Sequence, residues 1–153
     1  MSTVLIVDDE AAIRELLSRW LSSAGHSVVE APDAESALAV LASQTVGVVL
    51  CDRSMPGRDG LWLVEQIKDR FPNVAIILAT ADAAVPPRIS MQSGILGYLV
   101  KPFKVLLVTE AVADAMAWHR VAAKRPRRDL TVTGDPIDAW LRGRAGRTSA
   151  GGE

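Results

Sequence analysis

One cysteine in 153 residues leaves no partner for an internal disulfide, and a lone thiol fits a reducing compartment. Cys51 lies inside an apolar run, so a buried structural thiol is expected rather than a reactive one. Long hydrophobic runs are also missing: none approaches the ~18 residues that span a bilayer. The amino terminus enters Val4-Leu5-Ile6-Val7 directly, without a basic segment or cleavage site. A soluble, cytoplasmic protein is expected. Net charge is nearly absent at −1, which gives no argument for a polyanionic partner. Its distribution is uneven, because residues 1–123 carry 10 Lys/Arg and 14 Asp/Glu, whereas residues 124–153 carry 7 and 4. About half the residues are apolar and a quarter charged, which suits one globular domain with a short appendage. No repeat or low-complexity segment precedes residue 124.

What is present is organised around Val46–Gly60. Val48-Val49-Leu50-Cys51 is the short β-branched run of a fully buried parallel strand. It ends in Asp52, and Ser54, Pro56, Gly57 and Gly60 then break the chain into a loop. A carboxylate at the carboxyl end of a central strand stands where open α/β sheets hold their ligands. Asp52 is therefore a candidate nucleophile or metal ligand, against the plainer reading of a turn residue.

The rest of the chain repeats this pattern. Val4–Val7 is a strand that ends at Asp8-Asp9-Glu10. Ile13, Leu16, Leu17, Trp20, Leu21 and Ala24 then form one face of a helix, which Gly25 stops. Ser27–Glu30 is a second strand, and Asp33 caps a second helix with Ala37, Leu38, Val40 and Leu41 inward. Asp59 caps a third helix that buries Leu63, Val64, Ile67 and Phe71 and ends at Pro72. Val74–Ala79 is a fourth strand leading to Thr80. Pro86-Pro87 confines any following helix to about residues 87–93. Leu96–Val100 is a fifth strand ending at Lys101-Pro102, and a long helix covers about 103–123. Strand and helix alternate five times, the signature of a doubly wound α/β fold with a parallel sheet.

If all five strands are parallel, their carboxyl ends share one edge. That edge would gather Asp8, Asp9, Asp52, Thr80 and Lys101. Clustered carboxylates repel unless a divalent cation sits among them, and hard oxygen ligands suit magnesium, with manganese as a substitute. Asp52 between a cation and Lys101 would be an activated carboxylate able to form an acyl phosphate. Lys101 offsets the added charge, and the Thr80 hydroxyl can donate to a phosphoryl oxygen. Taken singly, Asp8 could be a helix cap, Thr80 a turn residue and Lys101 a solvated charge; their joint placement at strand ends is what argues for chemistry.

Val7-Asp8-Asp9-Glu10, Asp52–Gly60, Thr80-Ala81 and Tyr98-Leu99-Val100-Lys101-Pro102 together resemble the receiver domain of two-component response regulators, with a chemotaxis-regulator-like organisation. The resemblance implies a flavodoxin-like (βα)5 fold with strand order 2-1-3-4-5, residues 1–123 forming the receiver. It implies that Asp52 is the phosphoacceptor and Asp9 a direct magnesium ligand. Asp8 would act on the ion through water, and Ser54 would supply its carbonyl. Thr80 and Tyr98 are implied as a switch pair, Lys101 as the phosphate-binding lysine, and Lys101-Pro102 as a cis bond. The implied function is a phosphorylation-dependent switch in a two-component system or phosphorelay. The chain would be a phosphoprotein taking its phosphoryl group from a histidine kinase or phosphotransfer protein and signalling through a downstream protein. It would not be an enzyme acting on a metabolite, since gain and loss of phosphate occur at its own Asp52.

The last helix reads as apolar on two sides, with Leu107, Ala111, Ala115 and Trp118 on one and Val105, Val108, Val112 and Met116 on the other. One side covers the sheet. The other is a second core contact or a patch for association with a copy of the chain or with the tail, and association is the expectation. Residues 124–153 read as a basic linker, Lys124-Arg125-Pro126-Arg127-Arg128, and a tail with a short helix near 135–142 carrying Trp140. No DNA-binding output domain fits there, so neither nucleic acid nor membrane is an expected partner. A receiver fragment of a longer regulator is the alternative. A haloacid-dehalogenase-type phosphatase is disfavoured because Ser54 stands where its second Asp would be. A degenerate receiver is disfavoured because every chemical position is filled.

Overall fold

Every apolar run picked out above forms a strand, and all the strands run the same way. The computed structural model describes residues 3–81 and 95–124. Strands β1 (Thr3–Val7), β2 (Ser27–Ala31), β3 (Val46–Asp52), β4 (Ala75–Thr80) and β5 (Ile95–Val100) make one parallel sheet in the order β2-β1-β3-β4-β5. The helices are α1 (Ala11–Ser23), α2 (Ala34–Ser43), α3 (Gly60–Arg70) and a closing helix, Val105–Lys124. This is the doubly wound fold expected from the alternation of strand and helix, with the strand order the receiver resemblance implies.

Alternation along the strands divides the core between the two faces. Leu5, Val49, Cys51, Ile76 and Leu78 pack with Ala37 and Leu41 of α2 and Leu63 and Ile67 of α3. Val4, Ile6, Val48, Leu50 and Ile77 pack on the other face with Leu17 and Leu21 of α1 and Val108, Val112, Met116 and Trp118 of the closing helix. Central β3 is covered on both sides and is buried from Val46 to Asp52. Burial pushes the Cys51 thiol well above its ordinary pKa, helped by the Asp52 and Asp8 charges, which keeps it an inert core group.

The predicted boundaries hold where local chemistry sets them. Gly25, at φ 96°, ends α1 in a conformation that an L side chain rarely adopts. The Asp33 carboxylate accepts from Ser36 N at 2.7 Å and that of Asp59 from Trp62 N at 2.9 Å, capping α2 and α3. The α1 face is narrower than expected. Leu17 and Leu21 are buried, Ile13, Leu16 and Trp20 only half-buried, and Ala24 exposed, because α1 packs mainly on β2 at the sheet edge.

The closing helix corrects two expectations. It starts at Val105, and Phe103 stays outside it, packed against the core on the α1 side of the sheet. Its two apolar stripes are not a core face and a spare face. Val108, Val112, Ala115, Met116 and Trp118, drawn from both, form the buried side, while Val105 and Leu107, one from each, are exposed. The Val108–Met116 stripe is thus committed to the sheet and is no surface for association. Among the described residues, no helix is long and apolar enough to cross a membrane. The expected helix after Pro86-Pro87, the basic linker from Arg125 onward, the tail helix near 135–142 and Trp140 lie outside the described residues.

Candidate functional site

Parallel register brings the carboxyl ends of the strands level with one another. Val7 pairs with Cys51, so Asp8 and Asp52, each one residue further on, are side by side. Asp52 pairs with Ala79, and Thr80 with Val100. Backbone bonds close this edge: Arg53 N donates to the Ala79 carbonyl and Lys101 N to that of Thr80, both at 2.7 Å. The Lys101–Pro102 peptide is cis, as expected.

Lys101 is the hub. Its Nζ lies 3.1 Å from Asp8 Oδ2, 3.2 Å from Asp52 Oδ2 and 3.9 Å from Glu10 Oε1. Asp8 and Asp52 are 1% and 6% exposed, so two carboxylates share one ammonium in a nearly dry setting. Burial pushes Asp52 above the ordinary carboxylate range, and the Asp8 charge adds to this. Hydrogen bonds from Lys101 and the Ser54 amide and the Lys101 charge work against it. Burial alone would pull Lys101 down, but its bonds to Asp8 and Asp52 outweigh it and the net shift is upward. The remaining carboxylate oxygens are also occupied: Ser54 N donates to Asp52 Oδ1 at 3.2 Å and Glu10 N to Asp8 Oδ1 at 2.9 Å.

A negative excess remains. Asp9 and Glu10 are exposed beside Asp8, and one oxygen from each of the three lies within 4.8 Å of the others. Hard oxygen donors, one buried and two open to water, fit a divalent cation that keeps part of its hydration shell. Glu10 was not among the expected ligands; its place beside Asp8 and Asp9 was visible in the sequence, but its approach to Lys101 was not. The Ser54 amide already serves Asp52, which places this residue at the site.

Thr80 is buried at the end of β4, and Tyr98 is half-buried on β5. Tyr98 pairs with Leu78, two residues before Thr80, so both side chains lie on the same face of adjacent strands. Gly60, read from the sequence only as a loop breaker, meets a tighter requirement here. A Cβ added there would meet Asp52 O at 2.5 Å and Arg53 Cα at 2.8 Å. Its amide donates to the Arg53 carbonyl at 2.9 Å, so the loop after Asp52 folds back tightly onto the strand end.

A parallel sheet in the order β2-β1-β3-β4-β5 with helices between its strands is the flavodoxin-like receiver fold. The family model for the response regulator receiver domain matches residues 4–113, and the chain belongs to that family. It is 41% identical over 111 residues to the response regulator protein FleR of Pseudomonas aeruginosa, covering 72% of this chain and 24% of that protein. It is also 41% identical over 136 residues to the DNA-binding transcriptional regulator NtrC of Escherichia coli, covering 88% and 29%. Among solved structures it resembles the response regulator protein TrrA of Thermotoga maritima in complex with Mg(2+)-BeF. That match has a TM-score of 0.68 and 34% identity over 75% of this chain and 99% of that one. The chain spans about a quarter of the length of the curated relatives FleR and NtrC.

Proposed function

We propose that this receiver domain is a cytoplasmic switch that accepts a phosphoryl group on Asp52 and passes the signal on by protein–protein contact. The observation that carries the reading is the Lys101 ammonium held within 3.2 Å of both Asp8 and Asp52 beside the exposed Asp9 and Glu10. In the proposed step an Asp52 carboxylate oxygen attacks the phosphorus of a phosphohistidine. The N–P bond breaks, its electron pair stays on the imidazole nitrogen, and an acyl phosphate forms on Asp52. Lys101 then has an anionic phosphoryl oxygen to hold in place of part of the carboxylate charge, and the Thr80 hydroxyl donates to another.

Asp8, Asp9 and Asp52 with the Ser54 carbonyl would hold the cation, magnesium or manganese. Its contribution when bound is to neutralise the carboxylates that would otherwise repel an anionic donor. Thr80 and Tyr98, on one face of neighbouring strands, are proposed as the pair that reports phosphorylation. As the hydroxyl moves toward the phosphoryl group, the ring takes the space it leaves. The domain turns over no metabolite; gain and loss of phosphate at Asp52 are its chemistry. The length of its relatives favours a receiver that serves a longer regulator, with a histidine kinase or phosphotransfer protein upstream.

The test is addition of beryllofluoride with and without magnesium, followed by NMR of the Tyr98 ring. A magnesium-dependent shift in wild type that is lost in Asp52→Asn and altered in Thr80→Ala is expected. A response that ignores chelation or survives Asp52→Asn contradicts the reading.

A further inference from the structure

The acidic loop Asp8-Asp9-Glu10 has to be held still against its own repulsion, yet the helix it enters is poorly anchored. Glu10 is the N-cap of α1 and makes no side-chain capping bond, unlike Asp33 and Asp59 at α2 and α3. Besides Lys101, what holds the loop comes from β2 and from an α1 side chain braced on it. The Asp8 amide donates to the Ala31 carbonyl of β2 at 3.2 Å. The Asp8 carbonyl accepts from Arg14 Nη1 at 2.6 Å. Arg14 in turn places Nε 3.3 Å from Glu30 Oε1 on β2, and the other Glu30 oxygen accepts from Ser18 Oγ at 2.8 Å. The planar guanidinium, fixed on one side by Glu30, thus presents a second donor to the peptide joining Asp8 and Asp9.

We infer that Arg14, braced by Glu30 and Ser18, is a positioning residue for the cation site: it fixes the Asp8–Asp9 peptide so that the carboxylates face a common point. This rests on the proposed divalent-cation reading of that loop. Groups that orient ligands from behind commonly change metal affinity 10–100-fold when removed. The sign of the effect separates positioning from charge. Removing the Arg14 cation leaves Glu30 unneutralised near an acidic cluster, which by Coulomb attraction alone would tighten cation binding. Loss of positioning weakens it.

The experiment is calorimetric titration of the folded chain with magnesium chloride, alongside urea unfolding of each variant. Arg14→Gln is expected to bind magnesium about 10-fold more weakly. Arg14→Lys keeps the charge but not the two-pronged geometry, and should fall between Arg14→Gln and wild type. Ser18→Ala, at a half-buried and uncharged position, should weaken binding a few-fold with no change in net charge. Magnesium binding by Arg14→Gln that equals or exceeds wild type overturns the inference. Should that variant not fold, unchanged binding in Ser18→Ala does the same. A wild type that takes up no magnesium refutes the cation reading itself, an outcome distinct from equal binding by wild type and variants.

Discussion

Leu50 and Asp52 stand two residues apart on β3, at 2% and 6% exposure, and are buried for opposite reasons. Leu50 sits among Ile6, Ile77 and Val108 in the core shared with α1 and the closing helix, where every contact lowers the free energy of folding. Asp52 is buried at the strand's end with Asp8 as neighbour and one lysine between them, an arrangement that apolar residues would make more stable. The difference shows where the fold invests in stability and where it accepts a cost. Strand interiors make the sheet, and their carboxyl ends hold charges the sheet keeps apart from water.

In the interior, Leu50→Ala is expected to cost about 2–5 kcal/mol in urea unfolding, through lost burial and the cavity left behind. Where such a variant remains folded, its Asp52 chemistry should be intact. At the edge, Lys101→Met should lower the rate of phosphorylation from acetyl phosphate by about 100-fold, close to 2.7 kcal/mol of barrier, as for loss of one anion-stabilising donor. Similar rates in wild type and Lys101→Met would remove Lys101 from the chemistry. Asp59→Ala removes the α3 cap just beyond the site and should cost about 1 kcal/mol of stability.

A smaller effect is set by pH. The folded Lys101 pKa lies above its ordinary value of 10.5 because of Asp8 and Asp52. Its contribution to stability is therefore fully present below that value and is lost as pH rises through the raised pKa. In the presence of chelator, wild type should lose stability in that alkaline range, and Lys101→Met should show a flatter profile. Parallel profiles would contradict the pairing.

The strands and their polar ends were legible because each signal is local: an apolar run, then a carboxylate, hydroxyl or ammonium where the run stops. Asp33, Asp59 and Gly25 were legible as caps for the same reason. What was not legible depends on register between distant segments. Arg14 gains its meaning only when β2 lies beside β1 and brings Glu30 to it. Gly60 looked like an ordinary loop glycine until the chain folded back on the Asp52 carbonyl. The closing helix misled because Ala and Val on several sides gave no unique apolar direction. The sheet chose the face that joins Val108, Val112, Ala115 and Trp118 and left Leu106, Leu107 and Val121 outside.

The proposed function requires the buried carboxylate of Asp52 to be the group that is phosphorylated. Intact-mass measurement after incubation with acetyl phosphate tests it most directly, comparing wild type with Asp52→Asn, each with magnesium and with chelator. The mass of one added phosphoryl group is expected in wild type with magnesium, lost on mild base treatment as an acyl phosphate is, with no addition in the other three samples. An equal addition to Asp52→Asn, or to wild type under chelation, would contradict it.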